Sequence, residues 1–366
     1  MTAASLLRRA WPVLALATIL IVLVVIIDLM GVSIAKLAAT EALVKMVVVI
    51  GLYIFIGNTG IVSFGHISFM AIGAYMAAWL TCCPPVKATL MHGLPDFIIA
   101  TQVPNLEAAL VAGAAAALFA LLIGSALMRL SGIAPAIAMF GVLMIVYVGY
   151  SAWDSVTLGR SSIFGLPTYI DHWVALWWVL AALATAYLYQ ISRWGLAVIA
   201  ARDDEFAAKA AGINIYRMRL ISFVLSGFFV GIGGALFAHF LGGVSTSLFY
   251  LDMTFLTLAM LVVGGMNSLS GAVLGVVALS TVIEILRRFE SGVELGSASV
   301  QLPSGAQEIA LAVIMLLVLI FRPTGITRNR EILFPWPFGR PVPITMATGQ
   351  TSISNVDGAR RSTPPN

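Results

Sequence analysis

Residues 195–238 read GLAVIAARDDEFAAKAAGINIYRMRLISFVLSGFFVGIGGALFA. The stretch divides in two. Its first half sets Arg202, Asp203, Asp204, Glu205, Lys209, Arg217 and Arg219 among alanines, and from Leu220 onward no charged residue appears. Alanine with Arg, Glu and Lys forms helix readily, so the first half reads as a charged helical segment that water can cover. The second half is a long apolar run carrying Gly227, Gly231, Gly233 and Gly234. A helix rises 1.5 Å per residue, so crossing ~30 Å of hydrocarbon takes about 20 apolar residues, and this run supplies them. Small residues at spacings such as Gly227–Gly231 let helices pack closely within a bilayer.

The same pattern recurs along the chain. Of 366 residues, 60% are hydrophobic and only 10% charged, and the mean hydropathy is +1.02. Soluble domains carry about 25% charge. A chain this apolar is excluded from being an ordinary cytosolic enzyme, a nucleic-acid-binding domain or a disordered protein. Ten runs qualify as spans, at about 11–30, 40–57, 60–81, 106–128, 132–152, 172–190, 217–240, 252–269, 270–288 and 306–321. The fold class is therefore an all-α polytopic membrane protein of about ten transmembrane helices. The first run follows Arg8-Arg9 and stays uncharged from Ala10 to Ile27, longer than the 7–15 residues of a signal-peptide core, so it reads as a retained helix. Residues 1–340 form one transmembrane domain, and the tail 341–366, rich in Thr, Ser, Gly, Asn and Pro, reads as disordered and cytoplasmic.

Positive charge orients the spans. Arg8 and Arg9, the segment 192–219 with Arg193, Arg202, Lys209, Arg217 and Arg219, and the tail with Arg322, Arg328, Arg330, Arg340, Arg360 and Arg361 hold most of the 20 Lys and Arg. With six spans before the central segment and four after it, all three fall on one side, together with Arg129. Both termini and the central loop are thus expected in the cytoplasm, with 82–105, 153–171 and 289–305 outside. Arg160 and Arg287-Arg288 depart from the pattern by falling outside. Cys82 and Cys83 are adjacent; a bridge between neighbours is strained and no metal-ligand spacing surrounds them, so they are expected to be structural or incidental.

The spans hold few ionisable groups. Asp28, Asp252 and Glu284 lie near span ends, leaving His66 and His239 as the titratable side chains well inside. Carriers driven by proton or sodium gradients need buried charges as relays or ligands, so the energy source is expected outside this chain. No G-x-x-x-x-G-K-[ST] phosphate loop, zinc motif or nucleophile elbow occurs. Residues 57–75 read GNTGIVSFGHISFMAIGAY. Gly57, Gly60, Gly65 and Gly73 serve tight packing on one reading. On the other, the helix breaks at Gly57–Gly65 and Ser63, His66 and Ser68 line a polar path, irregular backbone at membrane depth surviving only where protein or water satisfies it. GAYMAAWL at 73–80 and GALFAHFL at 234–241 resemble one another, a hint of internal repetition.

In the central loop, Asp203, Asp204 and Glu205 suit the first turn of a helix, Lys209 lies four residues beyond Glu205, and Gly212 suits the stop. The helix is either a solvated interfacial element or one that docks into a groove on a soluble partner. Glu205-Phe206-Ala207-Ala208-Lys209-Ala210-Ala211-Gly212 resembles the E-A-A…G loop of ATP-binding-cassette importer permeases. The quoted 195–238 stretch, IVSFGHISFMAIGAY at 61–75, Gly165-Leu166-Pro167, LVVGGMNSLSGAVLG at 261–275 and LPSGAQEIALAVIMLLVLIFRPTGI at 302–326 resemble branched-chain amino acid permeases of the LivM type. The likeness covers roughly 40–330. Tyr53 stands where relatives often carry Asn, and Arg160 lies in a loop that relatives make Gly-rich.

The resemblance implies half of a two-subunit pore in the bacterial inner membrane. Its partners would be a second related permease, two ATPase subunits that bind the ATP, and a periplasmic or extracellular solute-binding protein. No cofactor is implied for this chain. It further implies that Arg202, Asp203, Asp204, Glu205, Ala208 and Gly212 couple to the ATPases, that Ser63, Gly65, His66 and Gly73 are path candidates, and that the outer loops with Arg160 and Glu290 meet the solute-binding protein. The alternatives are the same machinery importing urea, short amides or another small polar solute, and a gradient-driven carrier or channel working alone.

Overall fold

The structure, a computed structural model, describes residues 3–290, 293–295, 298–300, 303, 305–322 and 325–327. In chain order its helices are α1 (Ala3–Met30), α2 (Ser33–Thr59), α3 (His66–Thr81), α4 (Pro84–Leu90), α5 (Asp96–Ala100), α6 (Asn105–Leu127), α7 (Ala134–Ala152) and α8 (Asp154–Thr157). There follow α9 (His172–Ile191), α10 (Arg193–Asp203), α11 (Glu205–Ala210), α12 (Ile215–Leu241), α13 (Leu251–Gly264), α14 (Leu269–Glu290) and α15 (Ala306–Phe321). Two short ribbons accompany them: β1 (Ile163–Phe164) pairs antiparallel with β2 (Gly243–Val244), and β3 (Val293–Leu295) with β4 (Ala298–Val300). The tail 341–366 and the arginines from Arg328 onward lie outside the described residues.

Each of the ten expected spans coincides with a helix. Among the described residues, seven helices are long and apolar enough to cross a membrane. The other three, α3, α13 and α15, have 16, 14 and 16 residues, which at 1.5 Å per residue fall short of ~30 Å. For α3 and α13, irregular backbone adjoins the helix: residues 61–65 before α3, and before α13 the strand Gly243–Val244 and a four-residue 3-10 helix, Thr246–Phe249. Such backbone stays within a membrane only where other protein covers it; Ser63 and Gly65 are buried in the first segment and residues 243–246 in the second, whose Ser247 and Leu248 are exposed.

The run that opened the sequence analysis becomes α12, the centre of the bundle. Its glycines face three neighbours. A Cβ at Gly227 would meet Ala120 of α6 at 2.8 Å, one at Gly231 would strike Ala116 of α6, one at Gly233 would strike Val48 of α2, and one at Gly234 would land on the carbonyl of Met70 in α3. Three helices therefore approach α12 to backbone contact, and Ser226 Oγ donates to the carbonyl of Gly51 in α2 at 2.6 Å. The α3 crossing is reciprocal, because a Cβ at Gly73 would land on the carbonyl of Gly231. The octapeptides 73–80 and 234–241 that looked alike in sequence thus begin at the two glycines of one crossing, as a two-fold relation between α3 and α12 would give. α2 is buried at every position from Leu43 to Thr59 and α12 is largely buried from Ser222 to His239, whereas α1, α6 and α7 leave broad aliphatic faces exposed, including Ile19, Val22 and Ile26 on α1 and Ile137, Ile145 and Val148 on α7.

The two ends of the bundle are distinct. At one, Pro12 and Val13 of α1 line a cavity together with Gln190, Leu196 and Leu269, Arg202 reaches Gly57, and the Thr327 N–H donates to the Gly264 carbonyl. The start of α1, the central segment and residues 325–327 therefore share an end, as the parity of ten crossings requires. At the opposite end, Asp28 pairs with Lys36 at 2.6 Å and lies 3.3 Å from His172, and β1–β2 and the segment 82–105 form a cap.

That cap has a centre which the sequence did not announce. Lys87 in α4 is fully buried, and its Nζ donates to the carbonyls of Trp79 at 3.1 Å, Ile98 at 2.8 Å and Thr101 at 2.6 Å. The three N–H donors of one ammonium thus tie the end of α3 to the end of α5. Trp79 Nε1 donates to the Val156 carbonyl and the Gly93 N–H to the Ser155 carbonyl, fastening the cap to α8. Replacing Lys87 by Met leaves buried carbonyls unpaired at ~1–3 kcal/mol each. Thermal unfolding of the Lys87→Met protein in detergent should accordingly show a lowered midpoint, and an unchanged midpoint would deny the ammonium this role. Cys82 is buried, Cys83 exposed, and both are free thiols.

The bundle interior also holds more charge than its span-end residues suggested. Glu41 and Lys45 lie on one face of α2, 2.6 Å apart, and Arg287 of α14 closes on Glu41 at 3.0 Å. The Lys45 side chain is 7% exposed. It lies nine residues beyond Lys36, or about 13 Å deeper along the helix at 1.5 Å per residue. The i, i+4 spacing of Glu41 and Lys45 was visible in sequence; that Arg287 completes the cluster was not, since it comes from another helix. Arg287-Arg288, anomalous for the charge rule, are therefore engaged with Glu41 and Glu284.

Candidate functional site

The charged half of the opening stretch folds into two helices where one was expected. Ser192 caps α10 by accepting from the Gly195 N–H at 3.2 Å. Asp203 ends that helix. Asp204 is extended and its carboxylate accepts from the N–H groups of Phe206 and Ala207 at 2.9 and 3.0 Å. A carboxylate in that position satisfies two donors a helix start leaves unpaired, so the chain ends α10 and starts α11 there. Glu205 is the first residue of α11. Gly212, at φ +82, ends it: its N–H donates to the Lys209 carbonyl and the Ile213 N–H to the Ala208 carbonyl, the paired closure that a left-handed residue permits. Asn214 then caps α12, accepting from the Arg217 N–H at 3.1 Å.

Side chains fasten this six-residue helix to the bundle. Ala208 packs in a small cluster with Ala201, Ile213 and Ile215. Glu205 meets Lys209 at 2.9 Å and Arg219 of α12 at 3.0 Å; the hydrogen bond from Lys209, seconded by that from Arg219, holds its carboxyl below the usual value despite some desolvation. Arg202 Nη1 donates to the Gly57 carbonyl at the end of α2 at 2.7 Å. The opposite face is bare. Phe206 is 85% exposed, and the Lys209 side chain stands beside it, more than half exposed. Asp204, Glu205, Ala208 and Gly212 thus build and position α11, Arg202 joins α10 to the end of α2, Asp203 lies 3.3 Å from Arg202, and Phe206 is what α11 presents. Sequence reasoning passed over Phe206, although one aromatic among alanines was the available signal.

Three of the four path candidates, Ser63, Gly65 and His66, lie together near the same end, and Gly73 lies about two turns further along α3; all four are in the packed interior. The helix does break: α2 ends at Thr59 with Gly60 at φ +73, and α3 starts at His66. Ser63 is buried and its Oγ donates to Met139 Sδ at 3.0 Å. Gly65 lies on the Met139 backbone, where a Cβ would strike the carbonyl. His66 hydrogen-bonds Ser63 through Nδ1, and its ring sits 5.2 to 5.4 Å from those of Phe55, Phe69 and Phe223. Gly73 forms the crossing with α12. None of the four faces open space in this conformation. Tyr53 is buried beneath Gly57, whose Cβ position its ring fills. Arg160 is exposed, following Gly159 in the cap.

Comparison with known proteins fits this architecture. Residues 33–321 match the family described as branched-chain amino acid transport system / permease component. The high-affinity branched-chain amino acid transport system permease protein LivM of Escherichia coli is 28% identical over 313 residues, covering 79% of this chain and 68% of its own. LivH of Salmonella typhimurium is 29% identical over 154 residues, 42% of this chain and 46% of its own. The nucleoside permease protein NupC of Lactococcus lactis is 30% identical over 155 residues, 38% and 47%. No solved structure matches. With the matched region running from the start of α2 to the end of α15, the chain belongs to the family of permease components of branched-chain amino acid transport systems.

Proposed function

We propose that this chain forms half of the translocation pore of an ATP-driven importer of branched-chain amino acids, with α11 as the helix that docks into a separate ATPase subunit. The observation that carries the reading is α11 itself: a capped, six-residue helix held on its inner face by Glu205–Arg219 and by the Ala208 cluster, with Phe206 presented outward. An aromatic side chain on a rigid support, flanked by charge, is the pattern of an interface anchor. The partners are two ATPase subunits that bind the ATP, a second related permease and a solute-binding protein. The end bearing α11 faces the cytoplasm, with both termini, and the capped end faces the solute-binding protein. Closure of the ATPase pair moves α11 and switches the pore between its two access states.

The cargo follows the solute-binding protein more than this chain. A nucleoside permease lies among the relatives, and urea or short amides are the alternatives within the same machinery. The test of coupling is charge reversal in place. Glu205→Arg sets a cation against Lys209 and Arg219, so ATP-dependent uptake by the reconstituted transporter should fall to background while the protein still inserts. Uptake at the parent rate would remove α11 from the mechanism. Uptake by this chain in ATP-free liposomes would instead establish a carrier or channel working alone.

A further inference from the structure

The bond that Arg202 makes runs from α10 to α2 and does not touch α11. Arg202 stands near the end of α10 and reaches inward, to the Gly57 carbonyl at 2.7 Å. Last-turn carbonyls of a helix have no partner within it, and a cation there also meets the negative end of the helix dipole. The approach depends on glycine. A Cβ at Gly60 would lie 2.9 Å from Arg202 Cγ, and Gly60 holds φ +73.

From Gly60 the chain runs unhelical to His66, and at its far side this segment rests on α7. Gly65 lies against the Met139 backbone, with the carbonyl carbon 2.8 Å from where a Cβ would be, and Ser63 donates to Met139 Sδ. One short segment is therefore gripped by α10 at one end and seated on α7 at the other. α7 is buried along one face only. Of its side chains Pro135, Met139, Leu143 and Val146 are buried, and a Cβ added at Gly141 or Gly149 would meet nothing within 4 Å. By contrast α2 and α12 are interlocked at backbone distance, and packed elements of that kind do not slide freely.

We propose that Arg202 is a positioning residue that passes movement of the docking helix through the Gly57–Gly65 break to α7, which shifts against the interlocked α2 and α12. The proposal rests on the docking role of α11. Glu205–Arg219 holds α11 in place; Arg202 links it to the element that can shift. Coupling between separated sites is worth about 5–150-fold, and loss of this link should act on coupling without touching the docking face.

The test uses the assembled transporter in nanodiscs, with Cys82→Ala and Cys83→Ser as background and one reporter thiol, Val148→Cys, on the exposed face of α7. Maleimide labelling is followed by the mass shift of this chain, with and without ATP. In the background protein ATP should change the labelling rate. In Arg202→Met the ATPase should still co-purify and hydrolyse ATP, the labelling rate should no longer respond to ATP, and uptake per ATP should fall about tenfold. Arg202→Lys, which keeps one donor within reach of the Gly57 carbonyl, should recover part of both. A parent-like labelling response in Arg202→Met overturns the proposal, as does absence of any response in the background protein. Should Arg202→Met not assemble, Gly65→Ala strikes the other end of the same segment and is read identically, a parent-like response again overturning the proposal. Failure of the docking reading looks different: Phe206→Ala would then retain its ATPase in full, whatever Arg202→Met does.

Discussion

Gly73→Val is expected to yield no stable bundle, and Gly234→Val the same. Each position meets a backbone carbonyl of the facing helix, Gly231 for the first and Met70 for the second. A clash with a flexible side chain relaxes by rotation, but a carbonyl inside a helix moves only if the helix does. Ordinary overpacking costs about 1–3 kcal/mol. Here two branched carbons would push α3 off α12, and with it the contacts of α12 to α2 and α6, so the loss should exceed that range and be comparable with the whole stability of a domain, ~5–15 kcal/mol. Size-exclusion chromatography of the detergent-solubilised protein should show aggregate in place of a monodisperse peak. Gly141→Val is the control: it has the same chemistry on a helix, but nothing lies within 4 Å of the added carbon, and it should elute as the parent does. A monodisperse Gly73→Val protein would mean that the α3–α12 crossing is not as close as described.

Phe206→Ala has the opposite profile: a small effect on the chain alone and a large one on the assembly. The ring is 85% exposed, so its removal should change stability by no more than ~0.5 kcal/mol. Aromatic anchors at interfaces commonly contribute 2 kcal/mol or more, which is about 30-fold in affinity. Co-purification of the ATPase subunit should drop by that order, and ATP-dependent uptake with it, while the melting midpoint of the isolated chain stays put. Phe206→Leu keeps most of the apolar bulk and should lie between. Retained co-purification in Phe206→Ala would count against α11 as the docking helix.

The two predictions divide between what a linear pattern reveals and what it hides. The ten apolar spans, the shared end of the start of α1, the central segment and residues 325–327, the break between Gly57 and His66 and the Gly212 stop were legible, because each depends on local properties: apolar length, charge bias, glycine at a left-handed position. The Glu205–Lys209 pair was legible for the same reason, as residues four apart share a helix face. The split of the charged segment at Asp204 was not anticipated. Three acids in a row satisfy a helix start equally well on paper, and only the backbone donors of Phe206 and Ala207 select Asp204 as the cap.

Contacts between distant residues were illegible throughout. Lys87 looked like a loop lysine until its three acceptors came from Trp79, Ile98 and Thr101. Ser63 and His66 fitted a polar lining or tight packing equally well in sequence, and their neighbours, Met139 and three phenylalanine rings, come from elsewhere in the chain.

The opening stretch shows the same boundary. That 195–238 is a charged segment followed by a buried, glycine-rich helix follows from composition and period, since hydration of charge and burial of apolar surface act on each residue wherever it lies. Which way the charged segment reaches does not. Arg202 turns inward to a carbonyl 145 residues distant in the chain while Phe206, four residues on, turns outward. That choice is made by packing: α2 ends beside α10 with a carbonyl its own helix leaves unpaired, Gly60 leaves room for the stem of Arg202, and Phe206 stays 85% exposed.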